Sequence, residues 1–428
     1  MRQVKEEICA CIFDTREIVP RGNIAILIIA TSISGASNVA LAFLPVYFTS
    51  LGGTVLQYGV ITTFATLIGI PSTIVGGALT GRYSVKMIAI LTSWIGPSVL
   101  IGYYISNSWT ALSIPILIGA SGSLGSIAWR QLVADATVQK FRTAQLSVYQ
   151  TLTAVPSMLA PLVGGYLIHT LGIADGFRAG IVLALALSPL STILLVKFLR
   201  EHDLKLTGKD KQASTPRAPP GVVMHSKGFW LNLTSLPKAL VPLLSAYVLV
   251  IFANSVMNPY LIFYSTEVAR LDTFQWGIIL SLQIVLANLI RTPLGIISDR
   301  FDKRKVLFAS VITTAPLSTF LVFEHSFFST LAILLAMVVT GINYTPTHEA
   351  LQIEITPREK RPALFAVYDV LKSLATSAGT MIGAVFFTLN YTMPFLSFTA
   401  IETCAGAIIG LAFFVKPGRQ SSLTVPMQ

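Results

Sequence analysis

The chain has 428 residues, of which 53% are hydrophobic and 11% are charged, and its formal net charge is +11. Soluble globular chains have about 45–50% apolar and about 25% charged residues. This composition, with a mean hydropathy of +0.72, excludes a single water-soluble core and indicates a membrane protein.

Twelve apolar segments follow one another along the chain, and a helix of about 20 such residues crosses the hydrocarbon layer. We predict spans at 24–48, 58–79, 87–105, 110–129, 146–168, 180–196, 239–263, 276–297, 306–323, 331–345, 363–389 and 393–415. The first segment is too long for the apolar region of a signal peptide, and it lacks a small-residue cleavage site. The predicted fold class is therefore an all-α polytopic membrane protein.

The basic residues are distributed unevenly across these segments. Of the 30 lysine and arginine residues, Arg130, Arg291 and Lys372 lie within spans, and Arg178 and Arg270 lie in connections that lead to even-numbered spans. All the others lie in the tails, the central loop or the remaining connections. By the positive-inside rule, this asymmetry predicts cytoplasmic termini in a multi-pass protein of the cell membrane. The net positive charge is thus a topology signal and does not indicate nucleic-acid binding.

Landmarks of the first half recur in the second half in the same order, at an offset of 218 or 219 residues. The pairs are "QYGVITT" from Gln57 with "QWGIILS" from Gln275, Arg82 with Arg300, Asp135 with Glu354, and Arg142 with Arg361. Such self-similarity predicts two homologous six-helix bundles. We expect a cytoplasmic tail (1–22), a first bundle (23–198), a Pro-rich cytoplasmic linker (199–237), a second bundle (238–416) and a second cytoplasmic tail (417–428).

The stretch "GIISDRFDKRKV", which begins at Gly295, lies between spans eight and nine. It fits the pattern G-x-x-x-D-R-x-x-[KR]-[KR]. Together with twelve spans, the repeat and a basic central loop, it resembles the major facilitator superfamily from about residue 24 to 416. The resemblance implies two pseudo-symmetric six-helix bundles that rock about a central site and give alternating access.

The resemblance also implies a conformational switch in the short cytoplasmic loops, where ionic contacts break as the bundles rock. Its members would be Asp299, Arg300 and Arg304, with Arg82 and Lys86 as counterparts in the first half, where Gly81 replaces the expected Asp. Acidic and basic residues of the same network would be Asp135, Arg142, Glu354 and Arg361. The alternative interpretation is plain topology anchors and solvated ion pairs, each contributing at most about 1 kcal/mol.

Charged residues within the spans need a partner or a function, because each costs about 2.5–3.5 kcal/mol at the bilayer centre. Arg130 and Glu349 are repeat mates on spans four and ten, which line the central cavity in the family. They either gate the cavity, or Glu349 carries a coupling proton, or both simply sit in the cytoplasmic interface. Arg291 is more consistent with a structural role than with substrate binding.

The remaining charges of the spans are fewer. Asp369 and Lys372 are three residues apart and share a helix face, so they either neutralise each other or Asp369 meets Arg291 on span eight. Glu402 stands alone in span twelve, and the sequence assigns it no role.

Uncharged polar residues on spans one, seven and ten are candidates for a solute cavity of mixed polarity. They are Asn38, Asn254, Asn258, Tyr260, Asn343, Tyr344 and His348. The Asn258-Pro259-Tyr260 stretch also interrupts span seven, which frees a backbone carbonyl that must face protein or a wet cavity. The same side chains could instead join helices through interhelical hydrogen bonds.

The stretch "APLVGG", from Ala160 to Gly165, partly resembles the Gly-Pro-x-x-Gly-Gly signature of drug–proton antiporters and favours export. It departs from that group at Ala160 and Pro156, where glycines are expected, and at Pro115, where the span-four arginine is expected. The leading hypothesis is proton-linked export of hydrophobic or amphiphilic compounds. Uptake or exchange of a metabolite such as a sugar or carboxylate is the alternative, followed by a non-transporting receptor.

An enzyme is not expected, because the membrane portion has no metal-ligand or triad cluster, and Cys9 and Cys11 have no nearby histidine. A nucleotide-binding G-x-x-x-x-G-K-[ST] motif is absent from the sequence. We therefore expect no cofactor and no metal. The expected partners are a small-molecule solute, protons and the lipid bilayer, and the family default is a monomer.

Overall fold

The computed structural model describes residues 22–137, 142–199, 240–298, 300–323, 326–356 and 361–415, and these contain helices and short connections without a strand. Twelve helices are long and apolar enough to cross a membrane, and they are numbered α1 to α12 in chain order. They are Asn23–Ser50, Val55–Thr80, Val85–Ile105, Trp109–Asp135, Gln145–Leu171, Ile173–Phe198, Leu240–Val268, Thr273–Gly295, Lys303–Phe323, Phe327–Ile355, Val367–Leu389 and Met393–Phe413. The predicted all-α fold with twelve spans is confirmed.

Some helices extend beyond these bounds. The helix that contains α5 begins at Arg142, the one that contains α8 continues to Ser298, and the one that contains α11 begins at Arg361.

Several spans are interrupted by a turn of different helical geometry. Short 3₁₀ turns occur in α1 at Leu41–Phe43, in α4 at Ser121–Gly125 and in α7 at Asn258–Tyr260. A π-helical turn at Tyr264–Val268 ends α7. In α7 the cause is Pro259, which has no backbone N–H to donate and clashes with the preceding turn. Such breaks are tolerated in lipid where protein or a cavity satisfies the freed backbone groups.

The repeated glutamines act at the start of equivalent helices. The side chain of Gln57 accepts a hydrogen bond from the backbone N–H of Thr54 (2.9 Å), while Thr54 Oγ1 accepts from the N–H of Gln57 (3.2 Å). At α8, Gln275 accepts from the N–H of Asp272 (3.0 Å). This is the capping-box arrangement, which satisfies N–H groups that the first helical turn leaves unpaired. The motif shared by the two halves is thus a helix-start signal.

The described helices fall into two compact units. The first comprises residues 1–47 and 68–220, and the second comprises residues 48–67 and 221–428. In the first unit α1 packs on α5 and α6, and α3 packs on α4 and α6. In the second unit α7 packs on α11 and α12, and α9 packs on α10 and α12. The same pairings, shifted by six helices, make the repeat visible in three dimensions.

Two glycines at equivalent positions allow two of these helix pairs to approach closely. A Cβ added at Gly164 of α5 would lie under 3.0 Å from the backbone carbonyl oxygen of Val39 on α1. A Cβ added at Gly383 of α11 would lie equally close to the carbonyl oxygen of Val256 on α7. Small residues of this kind let membrane helices approach backbone to backbone. This close approach explains the need for a glycine at Gly164, the first of the two glycines in the "APLVGG" stretch.

The end of α1 and the first half of α2, residues 48–67, pack within the second unit. Gly59 lies against Ala384 and the Tyr260 hydroxyl, so close that a Cβ would clash with both. Thr63 Oγ1 donates to the carbonyl of Ser377 (3.3 Å), further along the same face of α2. These contacts join the segment to α7 and α11.

Candidate functional site

The first unit contains a cavity of about 590 Å³ between α1, α3, α4 and α6. Its wall combines apolar and aromatic side chains, such as Ile116, Tyr103 and Trp129, with small polar groups. The polar groups on α1 and α6 are Thr31, Ser34, Ser37, Asn38, Ser188 and Ser191. None of the lining residues is charged. Binding cavities typically have such an apolar wall with a few placed polar groups.

A hydrogen-bonded node lies beside this cavity and joins three helices. The hydroxyl of Tyr149 on α5 lies 2.9 Å from Thr31 Oγ1 on α1, and it accepts a hydrogen bond from Trp129 Nε1 on α4 (3.1 Å). Sequence reasoning did not select Tyr149 or Trp129. The signal that could have found them is the repeat, because Trp129 and Tyr149 precede His348 and Tyr368 by the same 219 residues.

The asparagines predicted on α7 form a short chain along their own helix. Asn254 Nδ2 donates to the Val250 carbonyl (2.8 Å), and Asn258 Nδ2 donates to Asn254 Oδ1 (3.2 Å). Asn258 is exposed, and its backbone carbonyl accepts a hydrogen bond from the N–H of Leu261. Tyr260 is buried, and its hydroxyl donates to the Thr380 carbonyl on α11. In this structure Tyr260 therefore holds two helices together and does not line open space.

A cluster of aromatic rings lies between α7, α10 and α11 in the second unit. The imidazole of His348 stacks on Tyr247, with ring centroids 4.5 Å apart, and lies 5.9 Å from Tyr344 and 5.4 Å from Tyr368. His348, Tyr344 and Tyr368 are buried, and Tyr247 is half-buried. The structure thus brings together two predicted residues, Tyr344 and His348, with two that the sequence did not indicate.

Two of the predicted intramembrane acids lie within electrostatic range of this cluster. Glu349 on α10 and Asp369 on α11 both interact electrostatically with the Tyr247 hydroxyl. Both carboxyl side chains are exposed on the second unit. Among the described side chains no ion pair joins Asp369 to Lys372 or to Arg291.

The other predicted polar residues are distributed over both units. Asn343 lines a second cavity of about 340 Å³ between α8, α9 and α10. Arg130 is exposed on α4 in the first unit, and Arg291 is exposed on α8 in the second.

The predicted switch residues occupy helix ends. Lys86 Nζ donates to the carbonyl of Leu199 (2.6 Å), at the end of α6, where a cation complements the helix dipole. Lys303 forms an ion pair with Glu354, joining the start of α9 to the end of α10. The guanidinium of Arg304 lies 5.2 Å from the ring centroid of Phe413 on α12.

The remaining switch residues differ in their exposure. Arg82 and Arg300 are exposed, and Asp135 is half-buried. Asp299 lies outside the described residues, as do the side chains of Arg142 and Arg361. The proposed role of these residues in switching stays a prediction.

The Major Facilitator Superfamily model matches residues 26–291 and again residues 243–427. The chain belongs to this superfamily. The resemblance inferred from the loop motif and the repeat is thereby confirmed, and the protein is a transporter of the superfamily with the corresponding twelve-helix fold.

Individual relatives are distant. A multi-drug resistance efflux pump PmrA homolog of Lactococcus lactis subsp. lactis (strain IL1403) is 23% identical over 94% of both chains. An MFS-type transporter of Bacillus subtilis (strain 168), YhjO, is 27% identical, but over only 32% of this chain and 34% of its own length. Two solved structures share the fold at low identity. The nucleoside transporter NupG has a TM-score of 0.70 with 13% identity, covering 92% of this chain and 100% of its own. The peptide transporter POT in complex with sulfate has a TM-score of 0.68 with 18% identity, covering 93% and 96%.

Proposed function

We propose that the protein is a proton-coupled secondary transporter that exports amphiphilic organic compounds through the cell membrane, with both termini in the cytoplasm. The observation that carries the proposal is the cavity of about 590 Å³ in the first unit, whose lining is apolar and hydroxyl-rich and carries no charge. A permanently charged sugar phosphate or carboxylate would find no counter-ion there. A molecule with an aromatic or aliphatic body and a few hydrogen-bonding groups matches the lining.

Proton coupling is supported by Glu349 and Asp369, which lie beside Tyr247 on the second unit. Ionisable residues inside a membrane span typically mark ion pathways and proton relays. Export is supported by the full-length similarity to the relative described as a multi-drug efflux pump homolog. The uneven distribution of lysine and arginine supports the orientation of the termini.

Uptake of a neutral metabolite is a second candidate, because hydroxyl groups of the cavity wall, such as Ser34 and Ser188, also suit a solute rich in hydroxyl groups. The two candidates differ in solute class and in the direction in which a proton gradient drives accumulation.

The test uses purified protein in liposomes and measures exchange of radiolabelled solute from pools of lipophilic amines, dyes, sugars, nucleosides and carboxylates. Ser34→Trp places a large ring in the cavity and should lower the apparent affinity for the transported solute at least about tenfold. Ser98→Trp, on an exposed position of α3 that does not line the cavity, is the matched control and should have no effect.

Exchange of the amphiphilic pools, weakened by Ser34→Trp alone, supports the proposal. Exchange confined to sugars or nucleosides would favour the uptake function. Exchange confined to carboxylates, or equal behaviour of the two tryptophan variants, would contradict the assignment of this cavity.

A further inference from the structure

Glu402 lies near the middle of α12, in the second unit, and only 4% of its surface is exposed. Its Oε2 atom has no hydrogen-bond partner among the described residues. The first half offers no counterpart, because α6, which occupies the equivalent place, carries no acidic residue after Asp175 in its first turn. Glu402 is therefore a departure from the internal repeat, and it is buried at a depth where a carboxyl group is costly.

The helices packed against α12 supply no cation at this depth. On α7 the sequence from Leu240 to Val268 contains no lysine or arginine. On α9 the basic residues are confined to the first three positions, Lys303 to Lys305. Arg304 lies over Phe413, which is 11 residues from Glu402, or about 16 Å along the helix axis. On α11 the nearest basic residue is Lys372, whose side chain is exposed.

The aromatic cluster packs against α12, because Tyr344 and Tyr368 belong to the same buried cluster as Ala405 and Ile409 of that helix. The hydroxyl of Tyr344 on α10 interacts electrostatically with Glu402. From Tyr344 the row continues to His348 (5.9 Å between ring centroids) and to Tyr247 (4.5 Å), whose hydroxyl interacts with Glu349 and Asp369. Tyr368 on α11 flanks His348 at 5.4 Å. The row thus leads from a buried carboxyl to two exposed carboxyls.

Three polar atoms of this row lack a partner in the described part of the chain, although the His348 imidazole also makes a hydrogen bond with the backbone of Leu243. The hydroxyl of Tyr344, Nε2 of His348 and the hydroxyl of Tyr368 are buried and have no hydrogen-bond partner within the described ranges. Such atoms are rare in folded proteins, because a buried donor or acceptor without a partner loses its hydrogen bonds to water and gains none in return. The equivalent pair in the first unit, Trp129 and Tyr149, is hydrogen-bonded at 3.1 Å. The equivalent position in the second unit therefore holds an imidazole whose Nε2 atom, unlike Nε1 of Trp129, has no partner among the described residues.

An ionised carboxylate buried without a cation is strongly disfavoured, whereas a carboxyl that holds a proton is tolerated. Phenol and imidazole groups each have both a donor and an acceptor site, so they can take up a proton on one side and release one on the other. We propose that Glu402 binds a proton and exchanges it with Glu349 and Asp369 through Tyr344, His348 and Tyr247.

In each transfer the O–H bond at Glu402 breaks as a new O–H bond forms on Glu349 or Asp369, and the three relay residues end in their original protonation states. Ring rotations or one water molecule between neighbours complete the path. The use of this proton to drive transport rests on the proposed function, whereas the binding and exchange of the proton do not.

The experiment is infrared spectroscopy of the full-length protein in lipid nanodiscs, without any solute, during pH titration and after a pH jump. We expect a C=O stretching band of a protonated carboxylic acid that fades as pH rises, shifts in D₂O and is absent from Glu402→Gln. Glu267→Gln removes an exposed carboxyl at the end of α7 and should leave this band unchanged. His348→Phe keeps the ring stacked on Tyr247 and should slow the response of the band about tenfold or more.

A band that is identical in Glu402→Gln and the unaltered protein, or one that does not respond to pH before unfolding, would overturn proton binding at Glu402. An unchanged response in His348→Phe would overturn the path through the imidazole. If Glu402→Gln does not fold, Glu402→Asp replaces it and should shift the position of the band.

Solute-driven proton flux in liposomes separates this inference from the proposed function. Loss of flux in Glu402→Gln with solute exchange retained agrees with both. Absence of flux in the unaltered protein would refute proton coupling, while the infrared titration would still decide the role of Glu402.

Discussion

The contact between α5 and α1, and its repeat between α11 and α7, depends on the absence of a side chain at Gly164 and Gly383. Replacing either glycine by alanine places a Cβ under 3.0 Å from a backbone carbonyl oxygen, Val39 or Val256. Ordinary van der Waals contact begins at about 3.4 Å, so the two helices must separate. Overpacking of this kind lowers the free energy of unfolding by about 1–3 kcal/mol. We expect a value near the upper end of this range, because a backbone carbonyl cannot rotate away from the clash as a side chain can. Alanine recovers up to about 1 kcal/mol of helix propensity.

The net expectation is a loss of about 2 kcal/mol in the free energy of unfolding for Gly164→Ala and for Gly383→Ala. Gly295→Ala on α8 is the matched control, because a Cβ there meets nothing within 4 Å. It should be neutral or stabilising by up to about 1 kcal/mol. The assay is denaturant-induced unfolding in mixed micelles, followed by tryptophan fluorescence. If all three alanine variants unfolded at the same denaturant concentration, the reasoning about backbone approach would be refuted.

Three other changes test contacts outside the relay. Tyr149→Phe removes two interhelical hydrogen bonds and should lower the free energy of unfolding by about 1 kcal/mol, while Tyr104→Phe, on an exposed ring, should not change it. Tyr260→Phe leaves the Thr380 carbonyl without its side-chain donor and should lower the same quantity by about 1 kcal/mol in the same unfolding assay. The Lys303–Glu354 ion pair is partly exposed to solvent. A double-mutant cycle that replaces both residues by alanine should therefore give a coupling energy of at most about 1 kcal/mol. A coupling energy above about 3 kcal/mol would contradict a solvated ion pair.

The fold was predictable from the sequence because each span needs its own run of apolar residues. The repeat predicted that the two halves have equivalent helices. Gln57 and Gln275 agree with it, because each caps the start of an equivalent helix. Helix ends were less accessible to prediction. The predicted tenth span covers 331–345, whereas α10 runs from Phe327 to Ile355, because its last turns are polar and helical at once.

The candidate site was only partly predictable. The sequence placed Tyr344, His348 and Glu349 on a cavity helix, but stacking on Tyr247 depends on how α7 and α10 are rotated about their axes. A hydropathy pattern gives no information about that rotation. The sequence shows Glu402 as the one acidic residue of span twelve. It does not show that the described side chains around it include polar atoms without hydrogen-bond partners and no cation.

The most direct test of the proposed mechanism is solute-driven proton movement in proteoliposomes that enclose a pH-sensitive dye. With an amphiphilic solute that the protein exchanges, addition of the solute should move protons across the membrane. Glu349→Gln and Asp369→Asn should each reduce this movement at least about tenfold while radiolabelled solute exchange continues. Solute exchange without any proton movement in the unaltered protein would contradict proton coupling. Full proton movement in both variants would show that these two carboxyls do not carry the coupled proton.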